Sequence, residues 1–144
     1  MKVHLFISLS FVAFALGCSG STATLTSPSS LDLTAPQFPG TWNLVSLRPA
    51  GEAEQAKPSG ATYSLTLADG RLSTRADCNT CGGTYTLSGQ TLMAAPSMAC
   101  TRAACPTMAF ENTYMKLLGG ESTVSLSGGT LELTSPRGVL RFIQ

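Results

Sequence analysis

The sequence predicts an α+β fold that is mainly β: a meandering antiparallel sheet of about eight strands, strongly curved or barrel-like, with one α-helix packed on it. Three observations carry that expectation. Beyond residue 40 apolar and polar residues alternate over short runs, the period of a strand with one buried face. Turn dipeptides separate successive runs and join them as hairpins. A single segment breaks the alternation and repeats its apolar residues at helical spacing instead.

The first strand is Thr41-Trp42-Asn43-Leu44-Val45-Ser46-Leu47, with Trp42, Leu44 and Leu47 as core candidates. Tyr63, Leu65 and Leu67 alternate with Ser64 and Thr66, and Asp69-Gly70 turns that strand into Arg71 to Ala76. Ser88-Gly89 separates Thr84 to Leu87 from Thr91 to Met93. Thr107 to Leu118 is the exception, because Phe110, Tyr114, Leu117 and Leu118 share one helical face, Pro106 suits the first turn and Gly119-Gly120 ends it. Gly128-Gly129 then joins Ser122 to Leu126 with Thr130 to Leu133. Pro136-Arg137-Gly138 leads into a last strand through Phe142. Arg48 to Thr62 and Ala94 to Cys105 show no period and are expected as loops. Trp42 and Tyr85 are expected in the core rather than in a pocket.

The chain opens with Lys2 and His4 ahead of an apolar run, Leu5 to Leu16, of the length of a secretory signal core and too short to span a bilayer. Ala15-Leu16-Gly17-Cys18-Ser19 resembles a bacterial lipobox, in which the cysteine is lipidated and becomes the first mature residue. The alternative is an ordinary signal cut after Gly17 or Ala23, with Cys18 incidental. The expected organisation is a signal peptide over 1–17, a lipid-anchored flexible linker over 18–39 and one β-rich domain over 40–144. Residues 19–39 are rich in Ser, Thr and Pro with Asp32 as their one charge, the composition of a tether. Acyl chains contribute roughly 0.8 kcal/mol per buried methylene, enough for Cys18 to hold the domain at a membrane surface. Ser19 in place of Asp favours the outer membrane, facing the periplasm, by resemblance to the enterobacterial sorting rule.

His4 is the one histidine of the 144 residues, so loss of the leader leaves a chain without imidazole as base, shuttle or metal ligand. Lys2 leaves with it, and eight of the nine basic side chains remain against eight acidic ones, scattered without runs. That surface argues against nucleic acid as a partner. Serines are abundant, yet no Gly-x-Ser-x-Gly elbow accompanies them. No enzyme and no cofactor is expected.

Four of the five cysteines, Cys78, Cys81, Cys100 and Cys105, lie in one short stretch of an exported chain, which reads as a disulfide framework with three possible pairings. Two sharper readings compete. The Cys78-x-x-Cys81 half suits zinc, but the second spacing is wider and an oxidising compartment favours disulfides, so no metal is expected. Cys78-Asn79-Thr80-Cys81 has the spacing of a thiol redox pair, but Gly82-Gly83 and a strand follow where a helix start would stabilise a thiolate. Arg102 and Glu111 flank the helix start and suit a bidentate pair that fixes loop to helix, with recognition of a ligand as the alternative role. Asn79 suits a left-handed turn or a cap on backbone groups.

Gly40-Thr41-Trp42, Asp77-Cys78-Asn79 with Gly83-Thr84-Tyr85, Thr101-Arg102-Ala103-Ala104-Cys105-Pro106, Glu111 and Leu131-Glu132-Leu133 together resemble, in order and spacing, the META domain of bacterial heat-shock HslJ-like lipoproteins. The resemblance implies a small β-rich domain with one helix, export to the envelope, stress or motility associations and no established enzymatic activity. It also implies a bridge between Cys78 and Cys105, which leaves Cys81 with Cys100. Those two cysteines are an addition to the commonest family pattern. The inner loop of about twenty residues then contributes on the order of 3 kcal/mol.

Two functions fit this reading. The first is a non-catalytic cell-envelope module, a monomer, that supports stress tolerance or envelope maintenance by binding another envelope component. The second is a carrier of a small apolar ligand held between sheet and helix. What fills that space separates them.

Overall fold

The computed structural model describes Phe38 and residues 40–144. The expected leader, Cys18 and the tether lie outside the described residues, except for Phe38, which is buried in the core rather than part of a free tether. Ten strands and one helix follow in the order β1 (Thr41–Pro49), β2 (Gln55–Ala56), β3 (Tyr63–Ala68), β4 (Arg71–Ala76), β5 (Asn79–Ser88), β6 (Thr91–Ala94), β7 (Ala99–Cys100), α1 (Met108–Leu118), β8 (Gly120–Ser127), β9 (Thr130–Ser135) and β10 (Gly138–Ile143). Eight of the strands close into an antiparallel barrel, running β1-β3-β4-β5-β6-β8-β9-β10 and back to β1. The mainly β fold with one helix is therefore the one the alternation predicts.

Closure rests on β1. Its early residues pair β3 (Trp42 with Leu65), whereas the strand also pairs β10 from Asn43 opposite Ile143 to Pro49 opposite Gly138. A register shift between Leu44 and Ser46 bends the strand there, as a bulge does at a barrel corner. Gly138 permits the close approach at the far end: at φ 143°, a β-carbon on it would run into the Arg48 carbonyl. The β3–β4 turn has Asp69 and Gly70 at φ 49° and 72°, the pair of left-handed residues that a two-residue hairpin needs.

Alternation places Tyr63, Leu65 and Leu67 of β3, Leu72 and Ala76 of β4, Leu131 and Leu133 of β9, and Leu140 and Phe142 of β10 inside the barrel. Trp42, Leu44 and Leu47 of β1 join them. Tyr85 is half-buried and packs against this core.

Helix α1 packs against β1, β4 and β10 through Tyr114, Leu117 and Leu118. Tyr114 is fully buried and meets the inward-facing rings of Tyr63 and Phe142 edge-on, at 5.2 and 6.4 Å, while Phe110 meets Tyr63 at 5.0 Å. Such aromatic pairs contribute about 0.5–1.5 kcal/mol each beyond their burial. The Tyr114 hydroxyl lies 2.7 Å from Thr74 Oγ1, and Thr74 donates onward to the Ser64 carbonyl at 2.6 Å. Side chains thus occupy the space between helix and sheet around Tyr114.

Two expectations need correction. The segments expected as loops contain the two strands outside the barrel, β2 on β1 and β7 on β5. Each is two residues long and exposed on both faces, so neither carries a period to read. Strand β5 also starts at Asn79 rather than Thr84, because backbone pairing with β4 continues through Gly82 and Gly83, where no side chain marks the alternation.

Candidate functional site

The four cysteines meet where β5, β7 and the start of α1 converge. Cys78 is bonded to Cys105 and Cys81 to Cys100, with Cα atoms 5.6 and 4.0 Å apart. The pairing is nested, as expected from the resemblance. Its geometry follows from register: β5 ends at the Ser88-Gly89 turn, the chain returns antiparallel through β6 and β7, and Cys100 falls directly opposite Cys81. The close Cα approach is that of a non-hydrogen-bonded antiparallel pair.

Between the two bridges sits Asn79, 3% exposed at the first position of β5. Its Oδ1 accepts from the Ala103 amide at 2.8 Å and from Thr101 Oγ1 at 3.0 Å. Its Nδ2 lies 2.9 Å from Glu111 Oε1, 3.1 Å from the Ala103 carbonyl and 3.2 Å from Cys105 Sγ, and donates among them. One side chain therefore ties β5, the 101–105 loop and the helix together. Of the two structural roles expected of Asn79 it takes the cap on backbone groups, those of Ala103; the left-handed turn position belongs to Asp77, at φ 56°.

The expected Arg102–Glu111 pair does not form. Glu111 is half-buried and turned towards Asn79, whereas Arg102 is exposed and makes no hydrogen bond or ion pair among the described residues. Asn79 engages both Glu111 oxygens and the Ala103 backbone, while the Arg102 side chain stays exposed.

The helix start is held by a different carboxylate. Asp77 Oδ2 accepts from Thr107 Oγ1 at 2.6 Å and from the Thr107 amide at 3.3 Å, and Tyr63 OH lies 2.7 Å from the same threonine hydroxyl. An anion at the first turn satisfies an otherwise unpaired amide and suits the helix dipole. Burial first, then the nearby negative charges of Asp77 and Glu111, push the Tyr63 phenol above its ordinary value, and its hydrogen bond to Thr107 works against them.

On the outer side of α1 a groove of about 630 Å³ opens between the helix and the 96–104 wall. Met98, Met108 and Met115 give it an apolar lining, and Arg102 and Lys116 add positive charge. Met98 reaches inward because the facing residue of β5 is Gly83, where a β-carbon would lie 3.2 Å from Met98 Cγ. Sequence reasoning missed this groove. The available signal was Met108 and Met115, seven residues apart, two turns along one helical stripe that excludes Tyr114 and Leu118. Glu111 and Asn79 form its deeper polar end.

Among the described residues, no group of three or more His, Cys, Asp or Glu side chains is placed to hold a metal ion. No described helix is long and apolar enough to cross a membrane.

A META domain family model matches residues 32–144. Among solved structures, an NMR structure of a protein from Burkholderia xenovorans is similar at 26% identity with a TM-score of 0.59, over 72% of this chain and 79% of that one. A second NMR structure is similar in fold, at 21% identity and a TM-score of 0.55, over 72% of this chain and 86% of that one. No curated protein matches the chain.

Proposed function

Because the chain belongs to the META domain family, we propose that it is a non-catalytic module of the bacterial cell envelope that binds another envelope component through the groove beside α1. One observation carries this reading. Aromatic side chains fill the space between helix and sheet, while an apolar concavity lies on the outside, between Met108 and Met115 of the helix and Met98 of the facing wall. A ligand carried between sheet and helix would have to displace Tyr114. A partner in the outer groove displaces nothing.

The polar residues nearby support binding rather than chemistry. Asp77, Thr107 and Tyr63 form a chain that fixes a helix start, and Asn79 spends its hydrogen bonds on Thr101, Ala103 and Glu111. Methionine suits such a surface because its unbranched, polarisable side chain repacks around different shapes. The lipobox-like sequence supports attachment through Cys18 to the outer membrane, with the domain as a monomer in the periplasm.

A benzophenone side chain placed at Met108 in the exported chain tests the groove. It should give a specific adduct on irradiation, and the same group at Thr86, exposed on the outer face of β5, should not. Equal yields at the two positions would remove the groove as the binding surface. Cys18→Ser should move the protein from the membrane to the soluble fraction, and unchanged membrane retention would overturn the anchor.

A further inference from the structure

We propose that the groove takes an extended peptide segment, apolar at alternate positions and acidic between them, which adds as a strand to the free edge of β7. This rests on the reading of the groove as the binding surface and names its occupant.

Three observations converge on that chemistry. The first is an unpaired strand edge. β7 pairs with β5 alone among the described residues. The Thr101 amide donates to the Thr80 carbonyl at 3.0 Å, so backbone alternation directs the neighbouring Cys100 N–H and C=O away from β5. Cys100 also lines the groove. A free edge of this kind is a template for another strand.

The second is rigidity. A two-residue strand would not ordinarily hold an edge in place, but Cys100 is bonded to Cys81 and the following residues are fixed by Asn79. The edge is therefore set before a partner arrives, which lowers the ordering cost of binding.

The third is charge. Arg102 and Lys116 are exposed and make no ion pair among the described residues, while the carboxylate of Glu111 is engaged by Asn79. The rim is thus net positive and complementary to an acidic side chain. An acyl chain would cover the same three methionines yet leave the Cys100 N–H and C=O without a partner, whereas a strand satisfies both.

The test uses the whole chain labelled with 13C at the methionine methyl groups and 15N at the amides. Three pools of acetylated seven-residue peptides are titrated, each with Val, Leu, Ile or Met at alternate positions. One pool has Glu between them, one has Lys, and one has Glu with every second amide N-methylated to block strand pairing. Palmitate serves as the non-peptide apolar anion. The acidic pool should shift the methyls of Met98, Met108 and Met115 and the Cys100 amide, with Met93, exposed on the barrel and outside the groove, unmoved. It should bind at least tenfold more tightly than the lysine pool, and Arg102→Glu should remove that preference.

N-methylation should abolish the shifts. If the N-methylated pool or palmitate shifts the same methyls as strongly, strand addition is overturned while the groove survives as a binding surface. If no probe shifts them, both readings fall.

Discussion

The barrel interior and the disulfide-bound corner around Asn79 are held by opposite means. Inside the barrel, cohesion comes from non-directional burial: Leu65, Ala76, Leu92, Leu118, Leu131, Leu140 and Phe142 are wholly removed from solvent. At the corner, residues 99–104 are all exposed and contribute almost no apolar burial. Two covalent bridges and one amide side chain hold them instead. The contrast explains how an apolar groove stays open. A segment that relied on burying its own apolar residues would collapse onto Met108 and Met115, whereas one fixed by covalent and directional bonds can leave them uncovered.

The sharpest way to break this comparison is to truncate one side chain on each side of α1. Tyr114→Ala removes a fully buried ring with three ordered neighbours, and should lower unfolding free energy in urea by about 3–5 kcal/mol. Met108→Ala, on the groove side, should change it by less than about 0.5 kcal/mol. Comparable losses would mean that the groove is part of the core.

The bridges come next in magnitude. Their loops, with separations of 27 and 19 residues, correspond to about 3.5 and 3 kcal/mol respectively in the chain-entropy description. Because one loop lies inside the other, replacing all four cysteines by serine should cost less than the sum of the two pairwise replacements. Hydrogen exchange sharpens the point: loss of the Cys81–Cys100 bridge should expose the amides of Thr101 and Ala103, which are bonded to Thr80 and Asn79, and leave those of β9 and β10 protected. Uniform acceleration across the barrel would show that the corner is not a separate unit.

How much of each region could be read from the chain follows from the same difference. Burial on one face writes itself into the sequence as a period, so β3, β4, β9, β10 and the α1 stripe were legible to within a few residues. The corner obeys no period. β7 is exposed on both faces, and β5 passes through two glycines, so pairing there depends on a register that only the closed barrel supplies. Residue types announced the cysteines, and the family pattern pointed to their partners. Nothing in the order of residues showed that Glu111 faces Asn79 rather than Arg102, because the Asn79–Glu111 contact joins residues 32 apart that only the folded strand and helix bring together. The groove escaped for a related reason: Met98 and Met115 pack against the core with one side and line the groove with the other, so neither follows a simple buried-or-exposed period.

Asn79 allows the corner to be dissected at one side chain. Asn79→Ala leaves the Ala103 amide, Thr101 and Glu111 without their partner and should cost about 2 kcal/mol, within the usual penalty for unsatisfied buried groups. Asn79→Asp preserves the shape but sets a second carboxylate against Glu111 and removes both N–H donors. It should be more damaging than alanine at pH 7 and recover part of the loss at pH 4, where protonation restores a donor. An Asn79→Asp variant with the same stability at both pH values would show that Glu111 is not felt at that site.

The smallest effect lies where the helix meets the barrel, at Tyr114 of α1 and Tyr63 of β3. Burial is the main cause that holds the phenols of Tyr63 and Tyr114 above the ordinary value near 10, Tyr114 the more strongly. The folded state therefore keeps protons that the unfolded state releases, so this contribution is intact below about pH 10 and declines as pH rises towards the folded values. The decline is about 1.4 kcal/mol per pH unit for each tyrosine kept protonated by folding. Tyr114→Phe removes one such group. At neutral pH it should cost about 1 kcal/mol, since Tyr114 loses its bond to Thr74 while Thr74 keeps the Ser64 carbonyl. By pH 11 the variant should equal or exceed the parent. Urea unfolding across that range, with tyrosinate absorbance as a second probe, reads both quantities. A constant difference from pH 8 to 11 would mean that Tyr114 reaches solvent, and that the helix does not seal the barrel as the edge-on packing of Tyr63, Tyr114 and Phe142 requires.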